Sequence, residues 1–71
     1  MEFRTLIHGY RVATSDVTAD EYVIRTRPKG DGWIAINDTE GLVLATGLRM
    51  HEAIEVCRSY DKHVAAAITL I

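Results

Sequence analysis

The sequence predicts an α+β fold, an antiparallel sheet of three to four strands with one α-helix packed on one face. Three observations predict it. Tyr22–Arg27, Trp33–Asn37 and Leu42–Thr46 are short runs rich in β-branched, aromatic and other apolar residues. Two glycine-containing turns, Pro28–Gly32 and Asp38–Gly41, separate them. An apolar stripe of helical period follows from about Met50.

The N-terminal stretch Phe3–Ala13 alternates apolar and polar residues from Phe3 to His8, as a strand does. Gly9 then interrupts, which predicts a bulge or bend before Tyr10–Val12. This stretch supplies the fourth strand. Thr14–Asp20 is rich in Thr, Ser and Asp and reads as a loop.

Pro28 ends the first central run, because proline cannot donate to a strand ladder. If the loop spans Pro28–Gly32, Arg27 lies opposite Trp33 and Arg25 opposite Ala35. Period-2 alternation then gathers Arg25, Arg27, Trp33, Ala35 and Asn37 on one face. Ile24, Ile34 and Ile36 take the other, which is the expected core face. Asp38–Gly41 reads as a type I turn closed by a bulged glycine. That register adds Leu42 and Leu44 to the isoleucines, whereas a slip by one residue would bury Val43 and Ala45. The larger side chains favour the first.

In the helix, Ala53, Val56, Cys57, Tyr60 and Val64 follow one apolar stripe, with Glu52, Glu55, Arg58 and Asp61 on the other side. Val64–Ile71 carries no charged side chain. Such a tail either closes the core or makes a dimer contact, and core closure is the expectation.

The 71 residues have room for a single domain, residues 1–71. A chain this short buries only ~60% of its unfolded surface, so a partner or a second copy is an expected source of stability. Cys57 is the only cysteine, which rules out an internal disulfide and predicts a reduced, cytoplasmic setting. No run is long enough to cross a bilayer as a helix. The net charge of −2 gives no general attraction for nucleic acid.

Catalytic and metal chemistry find no support in the residue pattern. Cys57 and His63 stand six apart, on different helix faces, and His8 and His51 have no close ligand partner. Cys57 falls on the apolar stripe, where a thiol is inert. Asp38 and Glu40 sit in a turn and read as solvated. The expectation is a non-enzymatic protein with no cofactor and no metal.

The sharper signal is the outer sheet face. Arg25, Arg27 and Trp33, with Lys29 at the edge, make a basic and aromatic patch of the kind that anchors interfaces. The acidic residues Asp31, Asp38 and Glu40 in the turns are candidate contacts for a basic groove. Partner protein is the leading occupant. Nucleic acid is the alternative, with arginine on phosphate and tryptophan stacked on a base. A homodimer or assembly subunit built through the tail is the third.

The stretch "GDGWIAIND…GLVLATGLRMHEAIEVCRSYD" resembles small modules of three strands and a helix, among them the AP2-like N-terminal domain of phage integrases. Trp33 matches its tryptophan in an early strand, and Glu52-Ala53 the start of its helix. Asp31-Gly32-Trp33 and Glu52-Ala53-Ile54 are also similar to an uncharacterised family of small bacterial proteins. The likeness covers about half the chain. Arg49 stands where such modules carry a Thr or Ser helix cap. In the AP2-like case the sheet face reads the DNA major groove, which implies a DNA-facing role for Arg25, Arg27 and Trp33. In size and acidity the chain also resembles small phage proteins of the anti-CRISPR kind, which dock on a host nuclease complex. That likeness implies inhibition by steric occlusion in a bacterial cytoplasm.

Overall fold

The computed structural model describes residues 1–30 and 32–69, the last through its backbone. Five strands run in sequence order: β1 (Arg4–Ile7), β2 (Tyr10–Thr14), β3 (Glu21–Thr26), β4 (Trp33–Asn37) and β5 (Leu42–Leu48). They pair antiparallel in the order β1-β2-β3-β4-β5 and are followed by one helix, α1 (Met50–Thr69). The α+β class is as expected. The strand count is five, because Gly9 is a turn residue between two strands and not a bulge within one. His8 and Gly9 link β1 to β2, with Gly9 at a φ of 74°, and β2 runs on through Thr14.

The β3–β4 register differs from the expected one by a single residue. Thr26 pairs with Trp33, Arg25 with Ile34 and Ile24 with Ala35. Arg27 belongs to the loop. Its carbonyl accepts from Gly30 N at 2.9 Å, closing a turn with Pro28 second, and its N–H donates to Gly32 O at 3.1 Å. The loop is therefore one residue longer than Pro28–Gly32. Because side chains alternate, that residue turns β4 over relative to β3.

The core follows from this register. Tyr22, Ile24 and Ala35 from the sheet meet Ala53 and Cys57 from α1, and all five are fully buried. Met1, Phe3, Trp33, Leu44, Leu48, Met50, Ile54, Val56 and Tyr60 pack around them. Ile24 takes the expected core side. Ile34 and Ile36 do not, and Ala35 faces the helix in their place.

The second turn forms as expected. Gly41 takes a φ of 64° and its N–H donates to Asp38 O. β5 then departs from a regular ladder at two places, between the partners of Ala35 and Ile36 and between those of Trp33 and Ala35. Leu44, the extra residue of the first irregularity, packs against the core, while Leu42 stays 45% exposed. The second contains Gly47, at a φ of 69°. Such bulges bend an edge strand and blunt it against stray pairing.

The helix begins at Met50, as its periodicity indicates, and continues to Thr69. The apolar tail is thus helical through its described part. Ile68 is 56% exposed, so core closure by the tail does not occur there. Leu70 and Ile71 lie outside the described residues. Of the described strands, α1 packs on β3, β4 and β5. No helix among the described residues is long and apolar enough to cross a membrane.

Candidate functional site

Alternation in the observed register places Arg25 and Trp33 on opposite faces of the sheet. Trp33 pairs with Thr26 and Leu48 and packs against the helix-side core. Arg25 sits between Tyr10 and Ile34 on the other side. Arg27 and Lys29 are exposed in the connecting turn. The expected patch of Arg25, Arg27 and Trp33 therefore does not assemble. Asp38 and Glu40 are exposed in the second turn, and Asp31 lies outside the described residues.

What the register builds instead is an apolar face with no cover. The pairs Arg4–Val12, Val12–Val23, Val23–Ile36 and Ile36–Val43 form one continuous row across all five strands. Ile7, Tyr10, Arg25 and Ile34 form the next row. Val23 and Ile34 at the centre are flanked by these neighbours and buried. Tyr10, Val12 and Ile36 are half-buried, while Val43 and Ile7 are 55% and 66% exposed. No described element packs over them, because the helix occupies the opposite face.

Two unlike charges bracket this surface. Glu21 and Arg25 lie on β3 on either side of Val23, two residues away in each direction, so all three point to the same face. Neither side chain has an ion-pair partner among the described residues. The sequence reading picked out Arg25 correctly as an exposed-face arginine but joined it to the wrong neighbours. It missed Tyr10, Val12, Ile36 and Val43, whose grouping depends on pairings between strands that no local pattern encodes.

A second, shallower surface lies between β5 and α1. Leu44, Glu55, Val56, Ser59, Tyr60 and His63 line a groove of about 640 Å³, wide open to solvent. It arises because Val56 and Tyr60, expected to be buried on the helix stripe, are only half-covered.

The polar interior centres on Asp61, which the helix periodicity had put on the solvated side. Ser15 Oγ donates to its Oδ2 at 2.8 Å. Thr18 Oγ1 and Tyr22 OH both donate to its Oδ1 at 3.0 Å. Ser15 Oγ also accepts from the amides of Val17 and Thr18. Fully buried Asn37 donates from Nδ2 to Asp20 and accepts at Oδ1 from Glu40 N. Each group in this network has a partner, which marks it as structural. The hydroxyl-rich composition of the 14–20 loop was the signal that could have found it.

Burial pushes the Cys57 thiol up to about 11, with a smaller opposing pull from a backbone hydrogen bond to Ile36. It is a protonated core residue at neutral pH, as its place on the stripe indicates. Among the described residues, no three His, Cys, Asp or Glu side chains gather so as to hold a metal ion. No protein-family model matches the chain, and no curated protein or solved structure matches it.

Proposed function

We propose that the chain is a non-catalytic protein-docking module whose working surface is the sheet face opposite the helix. The observation that carries this reading is the row Val12–Val23–Ile36–Val43, over which no described element packs and which runs from buried Val23 out to exposed Val43, bordered by Tyr10 and Arg25. An apolar centre with tyrosine and arginine beside it is the composition that protein interfaces favour. A module of this kind acts by covering part of its partner, and steric occlusion of a larger assembly, as by small phage inhibitors, is the form that suits its size. The alternative of a nucleic-acid platform has less support, since Trp33 packs toward the helix and cannot stack beside Arg25.

The test is affinity capture from lysate of the source cell, with and without nuclease. Wild type is compared with Val43→Lys, a change at an exposed position that spares the core. A stoichiometric protein held through nuclease treatment by wild type, and lost with Val43→Lys, supports docking through this face. Capture that vanishes with nuclease, or that Val43→Lys leaves unchanged, rejects it.

A further inference from the structure

The charges that border the face fix what closes it while no larger partner is bound. Resting on the docking reading above, we propose that the open sheet face is closed by a second copy of this chain, the two sheets stacking about a two-fold axis. Glu21, Val23 and Arg25 stand in line on β3, the acidic and basic residues equally spaced about the valine. Glu21 to Arg25 is ~13 Å along the strand. Consider a two-fold axis midway between the sheets, parallel to the row Val12–Val23–Ile36–Val43. It sets β3 antiparallel across its own copy. Val23 then lies over Val23 of the second copy, and Arg25 over Glu21 of the second copy, twice by symmetry. Two-fold interfaces are self-complementary in this way.

The other face-to-face two-fold, along the strands, would set Arg25 against itself. The charge pattern therefore selects one arrangement. In it the apolar row covers itself, Val12 on Val12, Ile36 on Ile36 and Val43 on Val43. Facing sheets pack ~10 Å apart, a gap that side chains of this size fill. Arg4 ends the row at the outer strand and is exposed, so solvent screens its approach to its own copy.

Closure would also supply what a small domain lacks. Only eight hydrophobic residues are buried in the described chain, and two of them, Val23 and Ile34, lie on this open side. Five strands ~4.8 Å apart and five residues of ~3.3 Å give a patch of roughly 25 by 20 Å with its side-chain margins. That is below the ~800 Å² per partner of a standard interface, so the dimer is expected to be reversible and concentration dependent.

Sedimentation velocity over roughly 10 µM to 1 mM tests this. Wild type should shift from 7.9 kDa toward twice that mass as concentration rises. Arg25→Glu sets Glu21 against a second carboxylate and should weaken dimerisation by at least about tenfold. Glu21→Arg should do the same. The double variant Glu21→Arg with Arg25→Glu restores both contacts and should dimerise again, which a loss of folding could not mimic. A wild type that stays monomeric throughout, or single variants that dimerise like wild type, would overturn the proposal. In a monomeric wild type, an apolar fluorescent dye separates the two readings. Dye binding that Val43→Lys abolishes leaves the docking surface standing with another occupant, and no dye binding removes the docking surface as well.

Discussion

The Tyr22 hydroxyl donates a 3.0 Å hydrogen bond to Asp61 Oδ1, joining the central strand of the sheet to the C-terminal half of the helix. The same carboxylate receives Ser15 and Thr18, so one helix side chain fastens both β3 and the loop before it. The Tyr22 and Tyr60 rings meet edge to face beside it, 6.2 Å apart. Tyr22→Phe removes one bond and leaves the ring, and should cost ~1 kcal/mol. Ser15→Ala should cost more, ~1–3 kcal/mol, because the amides of Val17 and Thr18 lose their acceptor as well. Urea midpoints rank the two. An equal or reversed order would show that the loop is held by something else.

The same bond gives the stability an alkaline limit. Burial first, then the hydrogen bond to Asp61 and its negative charge, hold the Tyr22 hydroxyl above its usual value of 10.0. The folded chain thus keeps a proton that the unfolded chain releases near pH 10. This contribution is complete below that pH and is lost as pH rises beyond it. Cys57 acts with the same sign from a lower start, since its thiol is raised from 9.0 to about 11. Unfolding free energy should therefore fall between pH 9 and 11, and fall less steeply in Cys57→Ala. A flat profile over that range in the wild type would contradict both shifts.

The helix was legible because a 3.6-residue period repeats from Ala53 to Val64, about three turns, and its start at Met50 needed nothing beyond the chain itself, whereas the apolar tail leaves its continuation to Thr69 open. β4 was equally plain, lying between Gly32 and Asp38. The facing of its side chains was not legible. It turns on whether Arg27 closes a strand or opens a loop, and a hydrogen bond from Arg27 N to Gly32 O decides that. One residue in a loop then relocated Trp33, Ile34 and Ile36 together. Asp61 illustrates the same limit for polar groups. Its spacing matches a solvated helix face, and only the path of the 14–20 loop, with the inward face of β3, brings the hydroxyls of Ser15, Thr18 and Tyr22 to it.

That register makes a sharp comparison between Trp33 and Arg25. Trp33 packs on the helix-side core, so its fluorescence should be blue-shifted in the folded state and move to the red on unfolding. Trp33→Ala should cost ~2–3 kcal/mol, less than a fully buried tryptophan, because Trp33 is only partly covered. Arg25→Ala at concentrations where the chain is monomeric should change stability by under ~0.5 kcal/mol. The register expected from Pro28–Gly32 would instead give the two residues a shared face and coupled effects in a double-mutant cycle. Additivity is the expected result.

Two glycines separate backbone strain from steric crowding. Gly41 has a φ of 64° and open space around the position of a side chain. Gly41→Ala should therefore cost only the left-handed penalty, ~1 kcal/mol. Gly32 has a φ of 107°, and an added Cβ would lie 3.0 Å from Leu48 O and 3.1 Å from Gly47 C. The neighbouring atoms are backbone and cannot swing aside. Gly32→Ala should exceed Gly41→Ala clearly, by a melting shift of ~4–8 °C for each further kcal/mol. Equal shifts would mean that the first turn does not approach β5 as closely as described.

The start of α1 offers a gain. Glu52 Oε1 accepts from Arg49 N at 2.8 Å, which is one half of a capping box. The other half is missing, since arginine at position 49 has no side-chain acceptor for the free amides of the first turn. Arg49 is exposed and Ala53 N already donates to its carbonyl, so the backbone has the geometry a cap requires. Arg49→Ser should complete the box and stabilise the fold by ~0.5–1 kcal/mol. Removing a positive charge from the positive end of the helix dipole acts in the same direction. Glu52→Ala should destabilise, and in its presence the Arg49→Ser gain should shrink, because the serine would then cap alone. Thermal melts of the two single variants and the double variant close the cycle. A loss of stability in Arg49→Ser would show that the arginine side chain makes a contact worth more than the cap.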